Sequence, residues 1–333
     1  MATKQKVRSK TLAVLDALGL EYKIKHSTAT LKEWDSLTIE LAGDYAGFWT
    51  RWSRNVKGRN HIDLVNYFVQ EDLVTREDAE RVLGQKLQGL EVEVKRSEAY
   101  DFSTMVTNPR TGKIEDWLVN TRKVNPDLVK RFIELGLVVC DGRGNIRFMW
   151  KNAQGTNIGA DVQGIVYNTE EFGKRGTLKL ILPGSNGFFN VKSSDVSSYD
   201  EVENIYITEA PIDLMSLIEL GSVPESIREE SPFELPNLKE KSLFIAVSGS
   251  ITKLEVTMNR LLTEFEIDGH KLKSIVVATD NDKTGLESFE WFREQGYTNA
   301  EQLLPNNDQN VLIDGVVTKV NDWNDLLKQV KSL

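Results

Sequence analysis

Cysteine is nearly absent from this chain of 333 residues, with Cys140 standing alone. A single thiol can form no internal disulfide and supplies no cysteine-based metal site. Histidine is almost as scarce, and His26, His61 and His270 lie far apart, so no ligand set for structural zinc is in view. No apolar run approaches the ~18–20 residues of a membrane-spanning helix. The stretch that begins Met1-Ala2-Thr3-Lys4 is amphipathic rather than a signal core. A cytoplasmic protein with no membrane partner is the expectation. Proline numbers only 8, and a composition 40% hydrophobic and 27% charged shows no sign of long disorder. The length allows two or three packed domains.

Charge of one sign is missing locally rather than globally. The net charge is -9, yet residues 1–60 hold 11 Lys and Arg against 6 Asp and Glu, whereas residues 201–333 hold 12 against 24. A basic front suits contact with phosphates. An acidic rear suits divalent metal, or simply solubility.

The spacing of Val7, Leu12, Leu15 and Leu18 predicts an amphipathic helix with Lys4, Lys6, Arg8 and Lys10 on its basic face. Two aromatic-rich strands, Glu33–Leu41 and Gly47–Trp52, are expected around a hairpin at Ala42-Gly43-Asp44. A helix capped by Asn60 should follow. Residues 76–112 read as a helical and irregular linker. Two helices between Ile114 and Leu137 should part at Asn125-Pro126 and end at Gly136. Strands at Ile146–Trp150 and Gly164–Tyr167, with a turn at Gly155 between them, make this middle portion α+β with a small antiparallel sheet. From Glu201 the pattern changes to short apolar runs, Asn204–Thr208, Ser242–Val247 and Ser274–Thr279, each followed by a turn and a helical stretch. That alternation predicts a parallel α/β sheet, whose functional residues lie at the carboxyl ends of its strands.

Those ends carry Glu209, Ser248-Gly249-Ser250 and Asp280-Asn281-Asp282. Three carboxylates on neighbouring strand ends repel one another unless a cation neutralises them, and an all-oxygen set favours Mg²⁺ or Mn²⁺. The plainer readings are a helix-start acid for Glu209 and a polar turn for Asp280 to Asp282. A calcium loop fails, because Trp291 occupies the twelfth position where a bidentate Glu is needed. Ser248 to Ser250 precedes a helical stretch and fits either a phosphate cradle or a cap.

In order and strand context, Thr208-Glu209-Ala210-Pro211-Ile212-Asp213 and Asp280-Asn281-Asp282-Lys283-Thr284-Gly285 resemble the Toprim domain of bacterial primases, topoisomerases and certain nucleases. Val320-Asn321-Asp322-Trp323-Asn324 looks like the Asp-Trp-Asn segment of its primase-associated versions. The run from Asp116 to Phe132 resembles the helical entry to the primase core. Arg147, Gly155, Gly164 and Lys179 follow in that core's order, although Val162-Gln163-Gly164 stands where a Gly-Gly-Arg is usual. Trp34 to Val65 resembles the primase zinc ribbon without its cysteines.

The resemblance implies four parts: residues 1–75, a zinc-free ribbon-like nucleic-acid-binding module; 76–112, a linker; 113–200, a primase-type α+β subdomain; and 201–333, a Toprim domain with a Rossmann-like, mostly parallel sheet. It implies metal-dependent primer synthesis on single-stranded DNA from nucleoside triphosphates by a mobile-element protein, with Mg²⁺ or Mn²⁺ and no zinc. Glu209 would bind metal or move a proton, Asp280, Asp282 and Asp322 would hold metal, and Arg147 and Lys179 would meet phosphates. Trp49, Arg51, Trp52, Arg54, Lys57 and Arg59 would stack on bases and grip the template backbone. A helicase, relaxase or other replication protein is the partner class. A Toprim nuclease and a non-catalytic single-stranded-DNA-binding factor are the alternatives.

Overall fold

The computed structural model describes residues 2–34, 36–42, 46–54, 56–97, 101–102, 107–173, 176–248, 253–306, 310–313 and 316–332, with backbone alone at 2–4, 95–97, 227, 230, 310–313 and 316–318. It divides into two compact units, residues 1–99 and 100–333. No helix among the described residues is long and apolar enough to cross a membrane.

The first unit opens with β1 (Ala2–Ser9) and α1 (Lys10–Ala17), continues through β2 (Tyr22–Lys25), β3 (Thr28–Leu31), β4 (Leu37–Glu40), β5 (Trp49–Arg51) and β6 (Val56–Gly58), and closes with α2 (His61–Gln70), α3 (Arg76–Leu83) and β7 (Leu90–Ser97). Strands β2 to β6 form an antiparallel meander in sequence order. The expected β4–β5 pair is present, with Ile39 opposite Trp49; Gly43 and Asp44 lie outside the described residues. Asn60 caps α2 by accepting from the N–H groups of Ile62 and Asp63.

Two expectations fail here for one reason. Residues 2–9 are a strand rather than the start of a helix, and the stretch expected as a linker supplies its partner, β7, with Val7 opposite Val92. Pairing across more than 80 residues satisfies the backbone of both segments, and Lys6 and Arg8 face Glu91 across the ladder at 3.0 and 3.8 Å. The helix starts only at Lys10, capped by Ser9, whose hydroxyl accepts from Leu12 N–H.

The core of this unit is aliphatic and aromatic, with Leu12, Leu31, Ile39, Trp49, Leu64 and Phe68 at 3% exposure or less. Trp49 stacks on Tyr67 at 5.1 Å, and Gly58 lies so close beneath its indole that a Cβ would sit 2.5 Å from the ring. Arg51 is drawn into the same cluster. Its guanidinium lies 3.7 Å from the Trp34 ring centroid and donates to Tyr67 Oη at 3.0 Å and to Glu71 at 2.6 Å. The unit contains no cysteine.

The second unit begins with α4 (Gly112–Asp116), which runs on as a wider π-type turn to Thr121, and α5 (Pro126–Glu134). Asn125 caps α5, Pro126 is its first residue, and Gly136 ends it at φ 61°. Then come β8 (Val138–Cys140), β9 (Ile146–Lys151), β10 (Asn157–Gln163), α6 (Thr169–Phe172) and β11 (Lys179–Ile181). These four strands form an antiparallel sheet in the order β11-β10-β9-β8. The third of them spans Asn157–Gln163, ahead of the Gly164–Tyr167 run where a strand was expected.

The remainder is β12 (Phe189–Lys192), β13 (Asn204–Thr208), α7 (Pro211–Gly221), α8 (Glu225–Glu230), β14 (Ser242–Ala246), α9 (Leu254–Thr263), β15 (Ser274–Val277), α10 (Lys283–Glu294), β16 (Ala300–Gln302), the hairpin β17 (Asn310–Ile313) and β18 (Val316–Lys319), and α11 (Trp323–Val330). The sheet order is β12-β14-β13-β15-β16, parallel except for β12. Its edge strand β12 precedes residue 201, so the boundary expected there falls inside the sheet. Tyr206, Phe244 and Val276 pack on one face with Leu214 and Leu326, while Ile205, Ile245 and Val277 pack on the other with Met258 and Phe292. This period-two alternation between two helical layers is that of a doubly wound sheet.

Truncating Arg51 should leave Glu71 and the Trp34 face without their partner. Arg51→Ala is expected to cost roughly 2 kcal/mol, below a fully buried pair because Glu71 keeps solvent contact. Urea unfolding followed by tryptophan fluorescence would read it, and a loss under about 0.5 kcal/mol would remove Arg51 from the stabilising cluster.

Candidate active-site cleft

Strand order β14-β13-β15 puts Glu209, which follows β13, between the ends of its two neighbours. A cleft of about 670 Å³ opens at this edge, and its lining includes Glu209, Asp213, Asp280 and Asp322 with Arg122, Lys179 and Asp161. Asp282 sits at the rim, exposed, and is close enough to act electrostatically on both Glu209 and Asp280.

Local chemistry explains why these residues gather. Asp282 caps α10 by accepting from Gly285 N–H at 2.9 Å, and α10 begins so close to Asp280 that a Cβ on Gly285 would lie 1.9 Å from the Asp280 carbonyl oxygen. Only glycine fits that approach. Asp322 caps α11 in the same way, accepting from Asp325 N–H at 2.6 Å. Trp323, fully buried, donates its indole N–H to the carbonyl of Ala278 at 2.7 Å, which fastens α11 to the chain just before Asp280. Asn324 donates to the Arg122 carbonyl at 2.8 Å and to Ser216 Oγ at 3.0 Å, and accepts from the Arg122 guanidinium at 3.3 Å. Each residue of the Asp-Trp-Asn run therefore has a separate structural task.

The carboxylates disturb one another. Burial, with Asp282 and Asp322 nearby, pushes the Glu209 carboxyl up to about 7. Burial and the charges of Asp213, Glu209, Asp322 and Asp282 raise Asp280 to about 9. Asp213, buried on the first turn of α7, is raised well above the ordinary range by burial and Asp322, and Asp322 is raised by burial and Asp325. Glu209 Oε1 and Asp280 Oδ1 are buried with no hydrogen-bond partner. Among the described residues no three acidic or imidazole groups already stand at ligand distance. Two buried carboxylate oxygens with nothing to bond are what a small hard cation would satisfy. The donor set fits Mg²⁺ or Mn²⁺.

Facing these acids, the antiparallel sheet presents one side of β10 and β11. Asp161 pairs with Ile181, and Gln163 with Lys179, so Asp161, Gln163, Lys179 and Ile181 all line the cleft. Arg147 pairs with Val162, whose side chain packs in the cluster on the sheet's other side with Met149 and Ala160. Strand parity thus puts Arg147, buried and beside Asp141, away from the cleft where a phosphate contact was expected. Arg122 reaches the cleft in its stead, with its guanidinium 4.6 Å from the Trp117 ring centroid.

Ser248 braces the opposite wall. Its N–H donates to the Glu209 carbonyl at 2.9 Å, its hydroxyl donates to Asp161, and Asp161 also accepts from Trp150 Nε1 at 2.8 Å. Gly249 and Ser250 lie outside the described residues.

The residues expected to hold template in the first unit divide. Trp49 is 3% exposed and Arg51 is tied to Glu71, so both serve the core. Trp52 is 58% exposed and donates to Thr38, while Arg54 pairs with Glu71 at 3.1 Å. Lys57 and Arg59 are exposed, with no side-chain partner among the described residues. Asp213 and Arg122 were missed as site residues. Asp213 carried a signal, being four residues beyond Glu209 and so one turn along a helix starting there; Arg122 carried none.

An acid whose pKa is raised by folding stabilises the fold while protonated, and that contribution is lost as pH climbs from its unfolded value, 3.8 for Asp280, through about 9. The metal-free protein should therefore weaken as pH rises across this window. Asp280→Asn should melt higher than the parent at pH 8, by about 2–4 °C or more, with a smaller advantage at pH 5. Thermal melts in chelator would decide it: a variant no more stable at pH 8 would mean that repulsion does not strain this site.

Residues 206–327 match a family model described as Toprim-like, and residues 116–179 match one described as a protein of unknown function, DUF3991. An uncharacterized protein of Bacillus anthracis, pXO2-78, is 29% identical over 194 residues, which cover 57% of this chain and 49% of that one, so the match spans about half of the relative. Solved structures similar to the chain include the zinc-binding and RNA polymerase domains of Aquifex aeolicus primase (13% identity, 95% of this chain and 80% of that chain, TM-score 0.33). The primase fragment of the bacteriophage T7 primase-helicase (11%, 86% and 92%, 0.33) and the E. coli primase catalytic core (11%, 67% and 70%, 0.34) are others. The Toprim-like match thus falls on the mostly parallel sheet that carries Glu209, Asp280-Asn281-Asp282 and Asp322-Trp323-Asn324, and residues 206–327 form a Toprim-like domain.

Proposed function

We propose that this protein is a mobile-element primase-like nucleotidyltransferase that makes short primers on single-stranded DNA from nucleoside triphosphates. The observation that carries the reading is the single cleft in which four carboxylates, Glu209, Asp213, Asp280 and Asp322, face two cationic side chains, Arg122 and Lys179. Nucleic-acid and triphosphate chemistry needs both signs in one place.

Glu209, Asp280 and Asp322 would hold Mg²⁺ or Mn²⁺, with Asp282 at the rim. The ion, when bound, neutralises phosphate charge and polarises the reacting oxygens. Lys179 and Arg122 meet the triphosphate from the opposite side, and Asn324 keeps the Arg122 guanidinium in place. Glu209, poised near neutrality, can exchange a proton at its buried Oε1. The Ser248 contacts with Glu209 and Asp161 hold the two walls at a fixed separation, so that nucleotide and strand end meet in one geometry.

A metal-dependent nuclease would use the same acids with water as the nucleophile, and a single assay separates the readings. Purified protein is given single-stranded template, labelled nucleotides and Mn²⁺ or Mg²⁺. Extension is expected, and it should fall at least about 100-fold in Asp280→Asn and in Glu209→Gln. Cleavage without extension would make the protein a nuclease. Binding with neither reaction would leave a template-holding factor.

A further inference from the structure

The first unit has its own cavity, of about 470 Å³, away from the residues expected to hold template. Lys10, His61 and Lys86 line it, together with the carboxamides of Gln85 and Gln88 and an aliphatic floor that includes Val14, Val82 and Leu87. No carboxylate lines it. None of these five polar side chains makes an ion pair or hydrogen bond among the described residues, whereas Lys6, Arg8, Lys32, Arg51 and Arg54 elsewhere in the unit are paired with acids. The cavity exists because the segment after α3 turns back: Leu90 pairs with Ser9, and a Cβ on Gly89 would lie 3.4 Å from Arg8 Cβ and from the Ser9–Lys10 backbone, which brings Gln85 to Gln88 over the start of α1. Ser9 and Asn60 already cap α1 and α2, so the side chains rather than the helix ends make the site.

We propose that this cavity binds a nucleotide unit, with its phosphate on Lys10, His61 and Lys86 and its base between the aliphatic floor and the two glutamine side chains. The inference rests on the nucleic-acid reading above and relocates its contact within this unit. Three groups able to carry positive charge, with no acid among them, leave a field that a phosphate neutralises. Aliphatic surface beside carboxamides suits the face and edge of a base. The volume falls within the range of small-molecule sites. Burial and Lys10 hold the His61 imidazole below its ordinary value, opposed by Asp63, and an anion beside the ring would reverse that push.

The nucleotide unit has two sources, a single strand or a free nucleoside triphosphate, and the test separates them. The full-length protein is titrated into a fluorescein-labelled oligothymidylate and, separately, a fluorescent ATP analogue. The double variant Lys10→Gln/Lys86→Gln alters two exposed side chains and should melt with the parent. It should bind about ten-fold more weakly at low salt, and the slope of log affinity against log salt for the oligonucleotide should shrink by about 0.7, the share of one neutralised phosphate. Loss toward the oligonucleotide alone assigns the site to the strand, and loss toward the analogue assigns it to free nucleotide. Lys23→Gln/Lys25→Gln, an equal charge change on β2, should bind as the parent does. Unchanged affinity of the first variant for both probes, or equal loss in the second, would overturn the site. Photocrosslinking of a bromodeoxyuridine-containing strand and, separately, of 8-azido-ATP gives a second reading: adducts of either probe on peptides spanning residues 10–14 or 61–88 support it, and adducts of both confined to other peptides overturn it. Because neither measurement reads primer synthesis, an inactive enzyme would sink the proposed reaction and leave this result standing.

Discussion

Repulsion among carboxylates at one edge of a parallel sheet is the constraint around which the second unit is organised. Glu209, Asp213, Asp280 and Asp322 line one wall of a single cleft, Asp161 lines the wall opposite, and the charge of Asp282 acts on Glu209 and Asp280. Left to themselves they would separate. Asp280 is pinned by the close approach of the first turn of α10 at Gly285, Asp322 by its capping bond and by Trp323 behind it, and Glu209 by Ser248. Every one of these restraints is a packing contact or a hydrogen bond to backbone, so the acids keep their positions whether or not they are charged. A fold that pre-positions repelling groups in this way spends stability to keep a binding site ready.

The cationic wall follows a different logic. Lys179 is supplied by an edge strand, is exposed, and acts electrostatically on Asp161 and Asp213. Arg122 is held on both sides, by Trp117 and by Asn324.

In the first unit an aromatic cluster packed around a buried cation forms part of the core. Trp34 and Tyr67 lie against the Arg51 guanidinium, Phe68 and Trp49 pack on those rings, and the charge is answered by Glu71. A cation trapped among rings cannot also reach for DNA. The tryptophans and arginines that look most like a stacking platform in the sequence are consequently divided between the core and the surface.

Much of the molecule was legible from local pattern alone. The three parallel strands, the acids at their ends, the Asn60 and Asn125 caps and the stop at Gly136 all depend on residues within a turn or two of one another. The β1–β7 pairing was not, because residues 2–9 have a helix-compatible spacing and only a strand more than 80 residues away makes them extended. The position of Arg147 depends on strand parity, since one residue's difference in register decides between the cleft and the opposite face. The burial of Arg51, the convergence of Asp213 and Arg122 on the cleft, and the closure of a cavity by Gln85 to Gln88 likewise arise from contacts between distant segments. Sequence by itself determined which groups stand at the ends of strands and helices, because hydrophobic period and capping are short-range. Only tertiary structure decided which of those groups face one another, because burial, parity and charge coupling belong to pairs of elements rather than to any one of them.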